Sequence, residues 1–260
     1  IADGGILTGV QGGDLAIGSL NLSSGSIINA TFSGAGGPAL FAIGGNLTLD
    51  GTLNVASSGA YGFGVYGLMT YGGALTDNGL TLGTTPGGAQ RVSVQTSVAG
   101  QINVVHAPTT LLFWDGGNGG QHDNGAVNGG TGVWTAAGSE WTDANGLFNG
   151  AMEPQPGFAI FQGTGGLITV DDVAGAVGVT GMQFAADGYS IQGDSITLAA
   201  ATTTIRVGNG TLVGGTFTTL IGSELTGAGQ LAQTDLGTLI LTGDNTYTGG
   251  TSIDTGRLQI

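Results

Sequence analysis

The side chains that could do chemistry are few. There are two histidines (His106 and His122), no cysteine, no lysine, and three arginines at 91, 206 and 257. A serine nucleophile needs a histidine base and a carboxylate that orients it. Ser195 follows Gly193-Asp194, but no histidine lies after it in the chain. The surrounding run Tyr189–Leu198 reads as strand, turn, strand, so Gly193-Asp194 is better explained as a β-turn. His122-Asp123 could be a base with its orienter or half of a metal site. Zinc wants three or four ligands and only one other histidine exists, so a solvated loop is preferred. Asp171-Asp172 could meet calcium, but adjacent residues in a strand point to opposite faces. A lyase centre would pair lysine or arginine with carboxylates, and this chain has too few cations for it. The expectation is therefore not an enzyme, with no cofactor and no metal.

Those residues must be carried by strands. In 260 residues, 56 are glycine and 8% are charged, with 17 acids against 3 cations and a net charge of −14. Nucleic acid is excluded as a partner, because this balance repels phosphate. The 40% hydrophobic content argues against disorder. Apolar residues alternate with Thr, Asn and Ser in short runs: Leu20/Leu22, Leu47/Leu49, Leu53/Val55, Leu80/Leu82, Ile196/Leu198 and Leu239/Leu241. Period-two alternation buries one face of a strand. Asp50-Gly51, Asn78-Gly79, Asn209-Gly210 and Gly243-Asp244-Asn245 mark turns between them. Such recurrence fits an all-β solenoid, a right-handed parallel β-helix with about 20–25 residues per coil. All twelve of these apolar side chains should then point inward. The chain opens and closes in strand-like pattern without a secretory leader, which suggests a fragment of a longer protein.

Residues 237–260, Gly-Thr-Leu-Ile-Leu-Thr-Gly-Asp-Asn-Thr-Tyr-Thr-Gly-Gly-Thr-Ser-Ile-Asp-Thr-Gly-Arg-Leu-Gln-Ile, resemble the passenger-associated transport repeat of autotransporters. These are the type V secreted proteins of Gram-negative bacteria. The resemblance implies a pertactin-like β-helix, secretion across the outer membrane to the bacterial surface, and a C-terminal translocator barrel in the full-length protein. It implies as partners a host cell surface, a matrix protein or a glycan, or self-association. Adhesion is the expected role, with a structural stalk as the alternative. Absence of cysteine suits a passenger that crosses unfolded from an oxidising compartment. Gly193-Asp194-Ser195-Ile196 is also similar to the Gly-Asp-Ser-Leu block of an esterase family, over four residues only.

One stretch breaks the rhythm. The expected division is 1–110 as β-helix, 111–165 as an aromatic and Gly-rich insertion or lateral bulge, and 166–260 as β-helix ending in the repeat. Trp114, Trp134 and Trp141 all fall in the middle part, beside the Gly/Asn-rich loop Asp115–Gly125. Two readings stand: an exposed aromatic platform for a sugar or host protein, or a local core under a long loop. The second is preferred because large rings bury area. If the platform exists, Trp134 and Trp141 are the first candidates for binding, with Trp114 and Tyr247 behind them.

Overall fold

The computed structural model describes residues 1–13, 15–34, 37–59, 61–86, 91–107 and 111–260. Strands of two to eight residues dominate. Among the described residues the helical turns are two 3-10 segments, Gly119–Gln121 and Leu212–Thr216. The chain divides into two compact units, Ile1–Pro108 with Gly210–Leu212, and Thr109–Asn209 with Val213–Ile260.

In the first unit, Ile6–Val10, Ile27–Phe32, Thr52–Ser57 and Thr81–Leu82 form one parallel sheet. Leu20–Asn21, Leu47–Leu49 and Leu75–Asp77 form another. A third runs Leu15–Ile17, Phe41–Ile43 and Gly64–Tyr71 in parallel. Residues paired in these sheets lie 21 (Ile6 with Ile27) to 29 (Thr52 with Thr81) positions apart in sequence. Asn54 Nδ2 donates to Asn29 Oδ1 at 2.9 Å across 25 residues, and Ala74 N donates to Asn46 Oδ1 across 28. Alternation does the rest: Ile28, Ala30 and Phe32 point into the core while their neighbours stay half-buried. Gly51 makes one of the sharp corners, with φ +93°. A Cβ there would lie 2.4 Å from the Ser26 carbonyl oxygen, so only glycine fits.

Leu20, Leu22, Leu47, Leu49, Leu53 and Val55 are buried as the alternation requires. Leu80 and Leu82 depart from it: Leu80 is half-buried and Leu82 is 36% exposed. Thr81–Leu82 is the last strand of its sheet. Among the described residues no further strand pairs with it, so an inward-type side chain there keeps contact with water. The parallel order also stops elsewhere. Gln101–Ala107 and Arg91–Gln95 extend the third sheet as an antiparallel pair beyond Gly64–Tyr71. An antiparallel hairpin thus joins the parallel strands of 1–110.

In the second unit, Gly132–Trp134, Leu167–Val170, Ser190–Gly193, Thr218–Ile221, Thr238–Leu241 and Arg257–Gln259 make a six-stranded parallel sheet. A larger sheet stacks Phe113–Trp114, Gly157–Phe161, Val177–Phe184, Thr202–Val207, Gln230–Thr234 and Thr251–Ile253 in parallel. Ile196–Leu198 and Leu225–Thr226 branch from Val177–Phe184. Trp141–Thr142 and Asn149–Gly150 add an antiparallel hairpin beside Phe113–Trp114. Ile196, Leu198, Leu239 and Leu241 are buried. Burial of a leucine side chain contributes about 1.5–3 kcal/mol. The fold is thus all-β with mainly parallel sheets.

Candidate binding surface

The three tryptophans lie in the core of the second unit, fully buried. Antiparallel pairing sets Trp141 directly opposite Trp114, and Trp134 ends the strand beside Val170. Their rings meet edge to face, Trp114–Trp141 at 5.4 Å and Trp134–Trp141 at 5.1 Å. Phe161 packs edge-on against Trp134 and Trp141 and stacks on Phe184 at 4.7 Å. Edge-to-face contact is the favoured geometry of aromatic quadrupoles. Trp114 Nε1 donates to the Gly130 carbonyl at 2.8 Å. A ring without accessible surface cannot stack on a ligand. The structure therefore gives the tryptophans the second of the two sequence readings, a local core. Tyr247 is half-buried at the corner after Thr238–Leu241, and its hydroxyl lies 2.6 Å from Thr251 Oγ1. It braces that corner.

The groups weighed for catalysis are also structurally engaged. Gly193 has φ +100°, and a Cβ on it would sit 2.4 Å from the Val170 carbonyl, which is the turn expected from the sequence. Asp194 Oδ2 accepts from Asp172 N at 3.0 Å, and Ser195 is half-buried. His122 Nε2 lies 2.9 Å from the Gly116 carbonyl. His106 lies in the first unit, its Nδ1 2.8 Å from the Gly62 carbonyl and its ring stacked on Tyr61 at 4.5 Å. Burial pulls the His106 pKa below that of a free imidazole, partly offset by the bond to Gly62. Among the described residues no three His, Asp or Glu converge to hold a metal ion.

The Asp115–Gly125 loop is mostly exposed, but its first residue is anchored inside. Asp115 is buried, and its Oδ1 accepts from Asn128 N at 2.6 Å and Asn128 Nδ2 at 3.1 Å. Its Oδ2 accepts from Asn149 Nδ2 at 3.1 Å. A buried carboxylate needs such donors, and three are supplied. Arg206 is likewise spent inside, paired with Asp235 at 3.3 Å with both side chains buried. Arg257 is exposed, and the side chain of Arg91 lies outside the described residues. The described surface is therefore strongly acidic.

The sequence reading passed over a surface feature on the second hairpin. Leu147 and Phe148 are 53% and 69% exposed. Their backbone is fixed from several sides. Asp143 Oδ1 accepts from Asn145 N and Leu147 N, and Thr142 Oγ1 donates to the Phe148 carbonyl at 2.9 Å. Asn149 N donates to Asp123 Oδ1 at 2.6 Å, and Asp123 N returns a bond to Asn149 Oδ1 at 3.0 Å. The result is an apolar pair held out on a stiff hairpin. One signal was available: Leu147-Phe148 sits between two turn dipeptides, Asn145-Gly146 and Asn149-Gly150, where no alternation offers it a core.

Comparison with known proteins adds two findings. Residues 231–260 match the family model described as the passenger-associated-transport-repeat. Over its whole length the chain is 47% identical, across 270 aligned residues, to the adhesin BmaC autotransporter of Brucella suis biovar 1 (strain 1330). The chain spans 8% of that relative's length. No solved structure matches.

Proposed function

This chain is an autotransporter passenger segment, of the class exported across the outer membrane to the cell surface, and from that premise we propose that it acts as an adhesive module of a longer surface protein. The observation that carries the reading is the exposed, rigidly held pair Leu147 and Phe148. Aromatic anchors at the centre of a contact supply most of its energy, and a stiff hairpin loses little entropy on binding. The printed name of the relative, an adhesin, supports the same role and suggests no catalysis. The partner is a host cell-surface or matrix protein or a glycan. Its counterpart on the bacterial side is the translocator barrel of the parent protein.

The scaffold we infer is a right-handed parallel β-helix. Support comes from side chains that bond between successive strands at separations from 20 residues (Leu225 N to Asn245) to 36 (Leu167 N to Thr131). Segment 111–165 then starts the second stack and carries the lateral hairpin, between β-helical parts 1–110 and 166–260. A stalk that only displays other domains is the second reading. It is favoured by outward rungs such as Asn29–Asn54 and Thr197–Thr226, which bond to one another along the sheet.

A cell-adhesion assay with the purified fragment, beside a glycan array, tests the choice. Phe148→Ser should reduce adhesion at least tenfold, the loss of about 1.4 kcal/mol or more of contact energy. Adhesion unchanged in the folded Phe148→Ser and Leu147→Ser variants would favour the stalk.

A further inference from the structure

Seven Asn-Gly dipeptides occur in the chain, at Asn78, Asn118, Asn124, Asn128, Asn145, Asn149 and Asn209. Asparagine followed by glycine is chemically labile. The glycine nitrogen has no Cβ beside it and can approach the side-chain amide carbon. The fold treats the seven differently. Gly79 N donates to Asp77 Oδ1, Gly125 N to the Gly146 carbonyl, and Gly146 N to the Asp143 carbonyl. Those three nitrogens are held away from attack. Asn149 and Gly150 are half-buried in the antiparallel ladder opposite Thr142 and Trp141, and Asn149 Nδ2 donates to the buried Asp115. Asn128 Nδ2 is fixed by Asp115, and Gly129 behind it is buried. Asn209 is 6% exposed.

Asn118 is the exception. It and Gly119 are exposed. Gly119 N–H is the first of a 3-10 turn and meets no acceptor among the described residues, as first-turn donors commonly do. Asn118 caps the turn: its Oδ1 accepts from Gly120 N at 3.2 Å, which folds the side chain over the following backbone. That donor is also placed where an oxyanion on Oδ1 would develop. Nδ2 donates to Gln121 Oε1 at 3.0 Å.

We propose that Asn118 is a self-modification site, converting to aspartate and isoaspartate by attack of Gly119 N on its side-chain carbonyl. The new N–Cγ bond closes a five-membered imide, the Cγ–Nδ2 bond breaks, and the nitrogen leaves as ammonia with the proton from Gly119. Water then opens the imide at either carbonyl. No oxidant or cofactor takes part, and the surface gains one negative charge.

The test is peptide mapping by mass spectrometry after incubation of the intact chain in mildly alkaline buffer, native and in urea. In the native protein the peptide holding Asn118 should gain about 1 Da at least about tenfold faster than those holding the other six. In urea all seven should react within a few-fold of one another. A Cβ at Gly119 meets nothing within 4 Å, so Gly119→Ala should fold and slow the reaction about tenfold by crowding the attacking nitrogen. Native Asn118 reacting no faster than the others, or at its native rate in Gly119→Ala, would overturn the assignment.

Discussion

The two units close their parallel ladders in the same way but with different fillings. In the first, the pair Gln101–Ala107 and Arg91–Gln95 runs antiparallel beyond Gly64–Tyr71. Tyr61, Tyr66, Phe32 and His106 cluster there, with Tyr61 and Tyr66 centroids at 4.6 Å. In the second, Trp141–Thr142 and Asn149–Gly150 run antiparallel beyond Phe113–Trp114, over three tryptophans. Elsewhere in each unit the buried residues are mostly Leu, Ile and Val. Aliphatic residues repeat at the strand spacing and stack on themselves. Where the next parallel strand is missing, a larger side chain must cover the exposed rung. Rings do so, and an antiparallel strand satisfies the backbone that would otherwise form an open edge.

The tryptophan-filled end should be the more sensitive one. Trp141→Ala or Trp134→Ala removes a fully buried ring from a cluster and should lower stability by about 3–5 kcal/mol in a denaturant titration. A loss as small as that of a surface substitution would break the view that rings hold this end.

The rung-filled stretches come next. Leu239→Ala should cost about 2–4 kcal/mol, because Leu239 is fully buried between Thr219 and Leu258 in register. Thr238→Ser, one residue away on the other face, should stay within about 0.5 kcal/mol. Equal effects on neighbouring residues would contradict the alternation. Leu82→Ser should fall nearer the threonine than Leu239→Ala, since Leu82 lies on an uncovered rung.

Acid should distinguish the two ends as well. His106 is held with a lowered pKa, so the unfolded chain binds its proton at a higher pH than the folded one. Stability from the neutral imidazole is complete above the ordinary histidine pKa of 6.5 and declines as pH falls below it. His106→Gln should flatten that slope in melting curves recorded across the acid range. An unchanged slope would place the acid sensitivity elsewhere.

The smallest effect on stability is expected at the hairpin tip. Phe148→Ser should leave the melting curve within about 0.5 kcal/mol of the parent, while adhesion falls. A large destabilisation would show that the ring packs in solution.

Much of this protein is decided locally. Strand positions, the turn glycines and the coil ending in residues 237–260 follow from alternation and from residues that tolerate positive φ, properties of a few neighbours in sequence. The passenger identity came from the same kind of local signal. Tertiary structure decided what depends on a distant partner. Trp114 and Trp141 are buried because two short strands face each other across 26 residues of loop and strand. Phe148 is exposed because, among the described residues, no strand pairs beyond Asn149–Gly150. Asp115 can be buried because Asn128 and Asn149, 13 and 34 residues away in sequence, donate to its carboxylate. Leu82 is exposed despite an inward-type pattern because its sheet ends there. Burial is a property of which distant segment pairs with or packs on a strand. Alternation tells which face of a strand is apolar, and only the stacked neighbour determines whether that face is covered.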